Sequence, residues 1–331
     1  VRYVERADNP ARLVDVNEEV LLDFEGLGSE RLGGFWKPII LSTGDEEACD
    51  ERYDDIGSDQ VIRFLTNDTS NPNSIVSCIG FARENARTVR DQLSDDLWEE
   101  LNALYLFTKS EESTRLLESN PPRYYEMVRR AAMTFLGISA STTARDGRWD
   151  FMSLGRHIER ADKTTRFLDI STYFPKGVEG LERASPGVLH WSAILSSCGA
   201  MGAFRATRQE ITARSVMSFL LFSPDFPRSV RYCIDQVDAA LHRISGTSRG
   251  TYSNESEREC GKMLAALNFG KPEDVLEEGL HEFLDGIQEK LNSIAGEIFE
   301  TYVLMPERIQ TQLPDVPAVP MSRPIQEQSQ Q

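Results

Sequence analysis

Apolar residues recur at spacings of three and four along almost all of this 331-residue chain, and strict alternation is almost absent. That spacing puts apolar side chains on one face of an α-helix and leaves no half-buried strand pattern. The chain is therefore read as all-α. One helix starts after Ser94, with Leu97, Trp98, Leu101, Leu104, Tyr105 and Thr108 in register. Its early acids Asp95, Asp96, Glu99 and Glu100 suit the positive end of the helix dipole. Another follows "SNPNSI", with Asn71 expected as N-cap and Pro72 as first helical residue. Its apolar face would carry Ile75, Cys78, Ile79, Ala82, Ala86 and Val89. Longer helices are expected over 123–145, 148–172, 227–245 and 272–303. Phe174 to Gly187 is rich in Gly and Pro and reads as a loop between two halves. From Pro306 the chain carries Pro and Gln without periodicity, which predicts an extended or disordered tail.

The sequence also repeats itself. "RYVERADNPARLVD" from Arg2 and "RHIERADKTTRFLD" from Arg156 share seven of 14 positions. Arg2, Glu5, Arg6, Ala7, Asp8, Arg12 and Asp15 fall on Arg156, Glu159, Arg160, Ala161, Asp162, Arg166 and Asp169. At an offset of 155, Trp36 falls on Trp191, Ile39 on Ile194, Gly44 on Gly199, Val61 on Val216 and Phe64-Leu65 on Phe219-Leu220. Pro72, Ser74 and Cys78-Ile79 then fall on Pro227, Ser229 and Cys233-Ile234. A period this long excludes a solenoid. The expectation is a helical bundle of two duplicated halves, 1–147 and 148–305, related by a pseudo-twofold, followed by a tail over 306–331.

The later matches are mainly apolar, as a shared core requires. Six of the seven early matches are charged. On a helix Glu5, Asp8, Arg12 and Asp15 form one stripe about 80° wide, apart from the Ala7, Ala11 and Val14 face. Asp8–Arg12 and Asp162–Arg166 are acid-to-base pairs four apart, in the favourable order. Three readings compete. An exposed salt-bridged face would add only about 0.3–0.5 kcal/mol per pair. A buried Glu–Arg network would fix how the halves dock. A ligand site would use Arg2, Arg6, Arg12, Arg156, Arg160 and Arg166 as forks for carboxylate or phosphate, oriented by Glu5 and Glu159. Asn9-Pro10 stands where the second copy has Lys163-Thr164, so the first helix is expected to kink there or restart with Asn9 as cap.

"FARENARTVR" places Arg83, Arg87 and Arg90 on adjacent turns, a weaker binding candidate without counterpart in the other copy. Arg228 and Arg231 lie near a helix start that could attract an anion. No phosphate-binding loop, dinucleotide fingerprint or zinc spacing occurs. His157, His190, His242 and His281 are scattered, and no Glu-x-x-His pair suggests a di-iron bundle. No metal or cofactor is expected. The net charge of −17 argues against nucleic acid and anionic membranes as partners. Five cysteines without a C-x-x-C pair read as buried, reduced thiols of a cytoplasmic protein. No apolar run is long enough to span a bilayer. The pattern starts abruptly at Val1, so further residues are expected before it.

These motifs, with "RFLTNDTSNPNSIVSCIGFARENARTVRDQLS", "LWEELNALY" and "FLLFSPDFPRSVRYC", resemble the alpha-E family, a bacterial all-helical family with a Glu-Arg motif. The resemblance runs over about residues 1–303. Pro10 departs from the usual pattern. The resemblance implies an association with circularly permuted ATP-grasp proteins and transglutaminase-like peptidases in peptide synthesis or modification. It transfers the Glu-Arg motif onto Glu5-Arg6 and Glu159-Arg160, with no established catalytic residue. The expected function is that of a helical accessory or binding protein, without catalysis of its own, for such a ligase or its peptide-like substrate. The alternative is an enzyme acting on amide or ester bonds, with Glu5 or Glu159 as general acid or base.

Overall fold

Helical spacing becomes helix throughout. The computed structural model describes residues 1–22, 36–53, 56–173 and 186–304. Among these it has sixteen α-helices and no strand. The first eight are α1 (Arg2–Leu22), α2 (Lys37–Thr43), α3 (Glu46–Asp50), α4 (Ser58–Thr66), α5 (Ile75–Thr88), α6 (Asp95–Thr108), α7 (Glu111–Ser119) and α8 (Pro121–Thr142). The rest are α9 (Gly147–Tyr173), α10 (Pro186–Ser197), α11 (Met201–Ala206), α12 (Ala213–Phe222), α13 (Val230–Ser245), α14 (Glu255–Phe269), α15 (Pro272–Glu278) and α16 (Leu280–Phe299). Helices α11, α12 and α13 each start 155 residues after α3, α4 and α5. The tail from Pro306, and residues 174–185 of the expected loop, lie outside the described residues.

Local chemistry sets most of the starts. Ser94 accepts from the Leu97 amide and begins α6 where its acids lead. Ser74 and Ser229 cap α5 and α13 in the same way, through the amides of Ser77 and Tyr232. The expected cap at Asn71 is therefore wrong by one turn. The Asn71 carboxamide instead accepts from the Asn73 amide at 2.8 Å and donates to the Phe64 carbonyl at 3.0 Å. It closes the turn after α4, which leaves Pro72 outside the helix, and Val89 falls past the end of α5. The helix expected over 272–303 is two, because the chain leaves helical geometry at Gly279, with φ 105°. Nor does Asn9 start a new helix. Helix α1 runs on through Pro10, and the Asn9 side chain donates to the Glu5 carbonyl at 2.7 Å, beside the backbone bond that proline removes.

Helices α1 and α9 organise the packing. Helix α1 packs on α5 and α8 and also on the distant α10; α9 packs on α13 and α16 and also on the distant α2. The two long helices touch each other as well. Gly155 of α9 permits this closeness, since a Cβ there would sit 3.3 Å from Arg2 Cβ. One apolar cluster joins Ile39, Phe64, Leu65 and Ile79 to Ile194, Val216, Leu220 and Ile234. A smaller one, with Val4, Leu97, Leu101 and Phe135, lies between α1, α5, α6 and α8. All five cysteines are buried and free. Burial pushes the Cys78, Cys198 and Cys233 thiols up to about 12, so they pack as small hydrophobes. Among the described residues, no helix is long and apolar enough to cross a membrane.

Candidate functional site: a reciprocal Glu–Arg network

The charged stripe lies inside the protein. Glu5 and Glu159 are 0% and 1% exposed, and Asp8 and Arg12 are buried with them. Each glutamate is held by arginines of the other long helix. Arg6 grips Glu159 with both ends of its fork, Nε on Oε1 at 2.7 Å and Nη2 on Oε2 at 2.8 Å. Arg2 Nε reaches the same carboxylate at 3.0 Å. In return, Arg160 Nε donates to Glu5 Oε1 at 2.6 Å, with its Nη2 at 2.5 Å from the same oxygen. Arg156 Nε stands 3.5 Å from it. The two Glu-Arg pairs therefore face each other, α1 to α9.

The stripe's remaining charges extend the network. Arg12 Nε lies 2.7 Å from Asp8, and Arg166 Nε 2.9 Å from Asp162, so both pairs four apart form as expected. Each of these arginines also presses on a glycine far away in the chain. A Cβ on Gly199 would sit 3.1 Å from Arg12 Nη1, and one on Gly44 would sit 3.2 Å from Arg166 Nη1. Both glycines are left-handed, with φ 61° and 75°. The two sides draw their extra cation from different positions. Beside Glu159 and Asp162 the extra cation is Lys163, 3.1 Å from Asp162. Beside Glu5 and Asp8 it is Arg228, from the turn before α13, whose Nη2 lies 2.7 Å from Asp8 and 3.4 Å from Glu5. Asn9 stands at the lysine's position, and Asn73 at that of Arg228. Arg6 donates to Asn73 at 3.4 Å, and Arg228 donates to Asn9 at 3.4 Å.

The electrostatics follow from this crowding. Burial alone would raise the Glu5 carboxyl, but Arg228, Arg160 and Arg156 overcome it and hold the group at about 2. Burial opposes ionisation of Glu159 too, and Arg6 and Lys163 bring it below its usual range. Asp162 is held at about 2 against its burial by Lys163 and Arg166. Burial, and then the neighbouring Arg160, push Arg156 the other way, below the usual arginine range. Each side sets four cations against two carboxylates: Arg12, Arg156, Arg160 and Arg228 with Glu5 and Asp8, and Arg2, Arg6, Lys163 and Arg166 with Glu159 and Asp162. Glu5 Oε2, Asp8 Oδ1 and Arg156 Nε are buried without a hydrogen-bond partner among the described residues.

The other candidates lie elsewhere. The Arg83 guanidinium stacks over Tyr105, 4.6 Å from its centroid, and donates to Asn102 and Glu84. Arg87 bonds Glu84, and Arg90 pairs with Asp95. Arg83 ties α5 to α6, Arg87 stays on its own helix, and none of the three joins the network. Arg231 bonds Asn268 and the Phe222 carbonyl. Arg228 was read as lying near a helix start that could attract an anion; its partners are the internal acids Glu5 and Asp8. The repeat carried a signal for its true role. Aligning the copies sets Asn9 on Lys163 and Asn73 on Arg228, one cation exchanged between two positions.

The network lies within a sequence with relatives. An uncharacterized protein of Mycobacterium bovis, and uncharacterized proteins from two strains of Mycobacterium tuberculosis, are 27% identical to it over 333 residues. The match covers 93% of this chain and 36% of each relative, so the chain spans little more than a third of their length. No solved structure matches. A family model described as a predicted alpha-helical domain with a conserved ER motif matches residues 1–303, and the chain belongs to that family, Alpha-E.

Proposed function

We propose that this chain is a helical accessory module whose Glu-Arg motifs are an internal lock, and that it works by binding a partner. The observation that carries this is the exchange of Arg6 onto Glu159 and Arg160 onto Glu5. Arginines gripping buried carboxylates of their own chain are not free to grip a substrate's. A general acid working near neutrality needs a pKa near neutrality, and Glu5 at about 2 stays ionised. The duplication of one eight-helix unit belongs to the same proposal. It accounts for the constant offset of α11–α13 from α3–α5 and for the reciprocal pairing.

The partner class follows from the family resemblance: a circularly permuted ATP-grasp protein or a transglutaminase-like peptidase, in peptide synthesis or modification. The surface charge supports a basic partner. Helix α3 presents Glu46, Glu47 and Asp50, joined by Glu51, on an open and nearly flat surface. The test is to mix this chain with the ATP-grasp protein encoded nearest to it. Co-elution with altered ATP turnover is expected. Independent elution with unchanged turnover overturns the partner assignment.

A second reading rests on the surplus of cations. Arg2 is 49% and Arg156 23% exposed at the rim of the two clusters, beside buried positive charge. A carboxylate or phosphate of a peptide-like ligand would offset that charge there. Calorimetry with inorganic phosphate and with a short acidic peptide tests it. Binding lost in Arg156→Ala, with the fold intact, supports the reading, and no heat from the unaltered chain removes it.

A further inference from the structure

The second long helix carries one stripe residue that the network leaves out. Asp169 lies two turns beyond Asp162 on α9 and is 4% exposed. Its counterpart in the repeat, Asp15, is paired with Arg129 of α8. Among the described residues, no arginine or lysine pairs with Asp169. It faces His281 of α16, whose Nδ1 is 2.8 Å from Asp169 Oδ1. The same ring presents Nε2 to Asp285 Oδ2 at 3.5 Å, one turn along α16. His281 and Asp285, four residues apart, share one face of that helix, as two ligands of one ion must. One ligand atom from each of Asp169, His281 and Asp285 lies within 4.8 Å of the others.

The surroundings fit a cation. The Thr172 hydroxyl donates to Asp169 Oδ1 at 3.0 Å, fixing the carboxylate's orientation. The Tyr173 ring stacks edge-on against His281, 5.6 Å between centroids, and holds the imidazole from the side. Outer partners of this kind set the direction of metal-binding groups. Glu282 and Glu46 add negative charge nearby. His281 is 40% and Asp285 53% exposed, so an ion would reach the site from solvent and keep water on its open side.

We propose that Asp169, His281 and Asp285 form a binding site for a divalent transition-metal ion, pinning α16 to the C-terminal end of α9. One imidazole with two carboxylates selects ions of the Zn²⁺ class over Mg²⁺ or Ca²⁺, which prefer oxygen alone. The site lies apart from the Glu-Arg lock and does not depend on the partner proposed above. No sequence spacing announces it, because Asp169 and His281 are 112 residues apart.

The full chain, stripped with chelator, is titrated with Zn²⁺ by calorimetry and with Co²⁺ by visible absorption. One equivalent of each is expected to bind, with a Co²⁺ ligand-field band and a raised melting temperature. Mg²⁺ should compete poorly. Asp285→Asn changes an exposed residue and should leave the fold intact. It and His281→Ala should each weaken binding by more than the roughly 10–100-fold that an outer-sphere partner contributes. Zn²⁺ binding of equal strength in the unaltered chain and His281→Ala would assign the ion to scattered surface acids. That result overturns the proposal, as does no binding at all, which would leave an interhelix ion pair only.

Discussion

Glu5 is a carboxylate whose ionisation the fold requires. Its pKa lies at about 2 in the folded protein against 4.5 for a free glutamate. A depressed acid stabilises the fold fully above the unfolded value and loses that contribution as pH falls from 4.5 towards 2. Acid unfolding should therefore set in below the ordinary glutamate range, and Glu5→Gln should flatten the pH dependence there. At neutral pH, Glu5→Ala strands Arg156 and Arg160, and a loss of about 3–5 kcal/mol is expected in urea unfolding. Glu18 has the opposite sign. Burial first, then Asp15, raise its carboxyl to about 7, and its Oε2 has no hydrogen-bond partner among the described residues. Its stabilising effect is full below 4.5 and is lost as pH rises through 7. Glu18→Gln should raise the melting temperature at about pH 8 and leave the melt at about pH 4 nearly unchanged. The paired acids were visible in the sequence as a stripe. The partners four residues along were visible too; which arginines of the other helix grip Glu5 and Glu159 was not, because helical phase shows which residues share a face and not what that face meets.

Helix ends show where sequence reasoning holds. A helix was expected from Ser94 onward, and α6 starts there with that serine as its cap. Before α5 the proline after Asn71 pointed to Asn71 as the cap, a place that Ser74 holds. The side chain of Asn71 was already engaged with Phe64, a contact no local pattern reveals. The break at Gly279 was equally hidden, since helices tolerate single glycines at modest cost. Gly44 and Gly199 are the informative pair. Their match in the repeat was legible, but the reason is tertiary: a left-handed turn pressed against an arginine of the other long helix. Gly44→Ala and Gly199→Ala should each cost about 1–2 kcal/mol from backbone strain alone. Displacement of Arg166 or Arg12 adds to this. Thermal melts of both variants should fall, while Gly80→Ala, in open helical surroundings, should not.

For the whole molecule, the all-helical class and the core positions followed directly from periodicity and the apolar matches of the repeat. How the two long helices meet did not follow, since a repeat establishes equivalence and not contact. The exchanged cation now gives a test across that junction. Arg228→Asn removes the 2.7 Å contact to Asp8 and leaves three cations beside Glu5 and Asp8, so it should cost about 1–3 kcal/mol. Adding Asn9→Lys in the same chain puts a lysine where α9 carries Lys163, and should recover a measurable part in the urea midpoint. The same exchange bears on self-association. Within the proposed duplicated arrangement, joining two first halves would place Asn9 opposite Asn73, with no extra cation beside the acids. Joining two second halves would place Lys163 opposite Arg228, with two. Only unlike halves supply one such extra cation to each pair of carboxylates, so the exchange selects unlike pairing and disfavours any assembly that joins like halves.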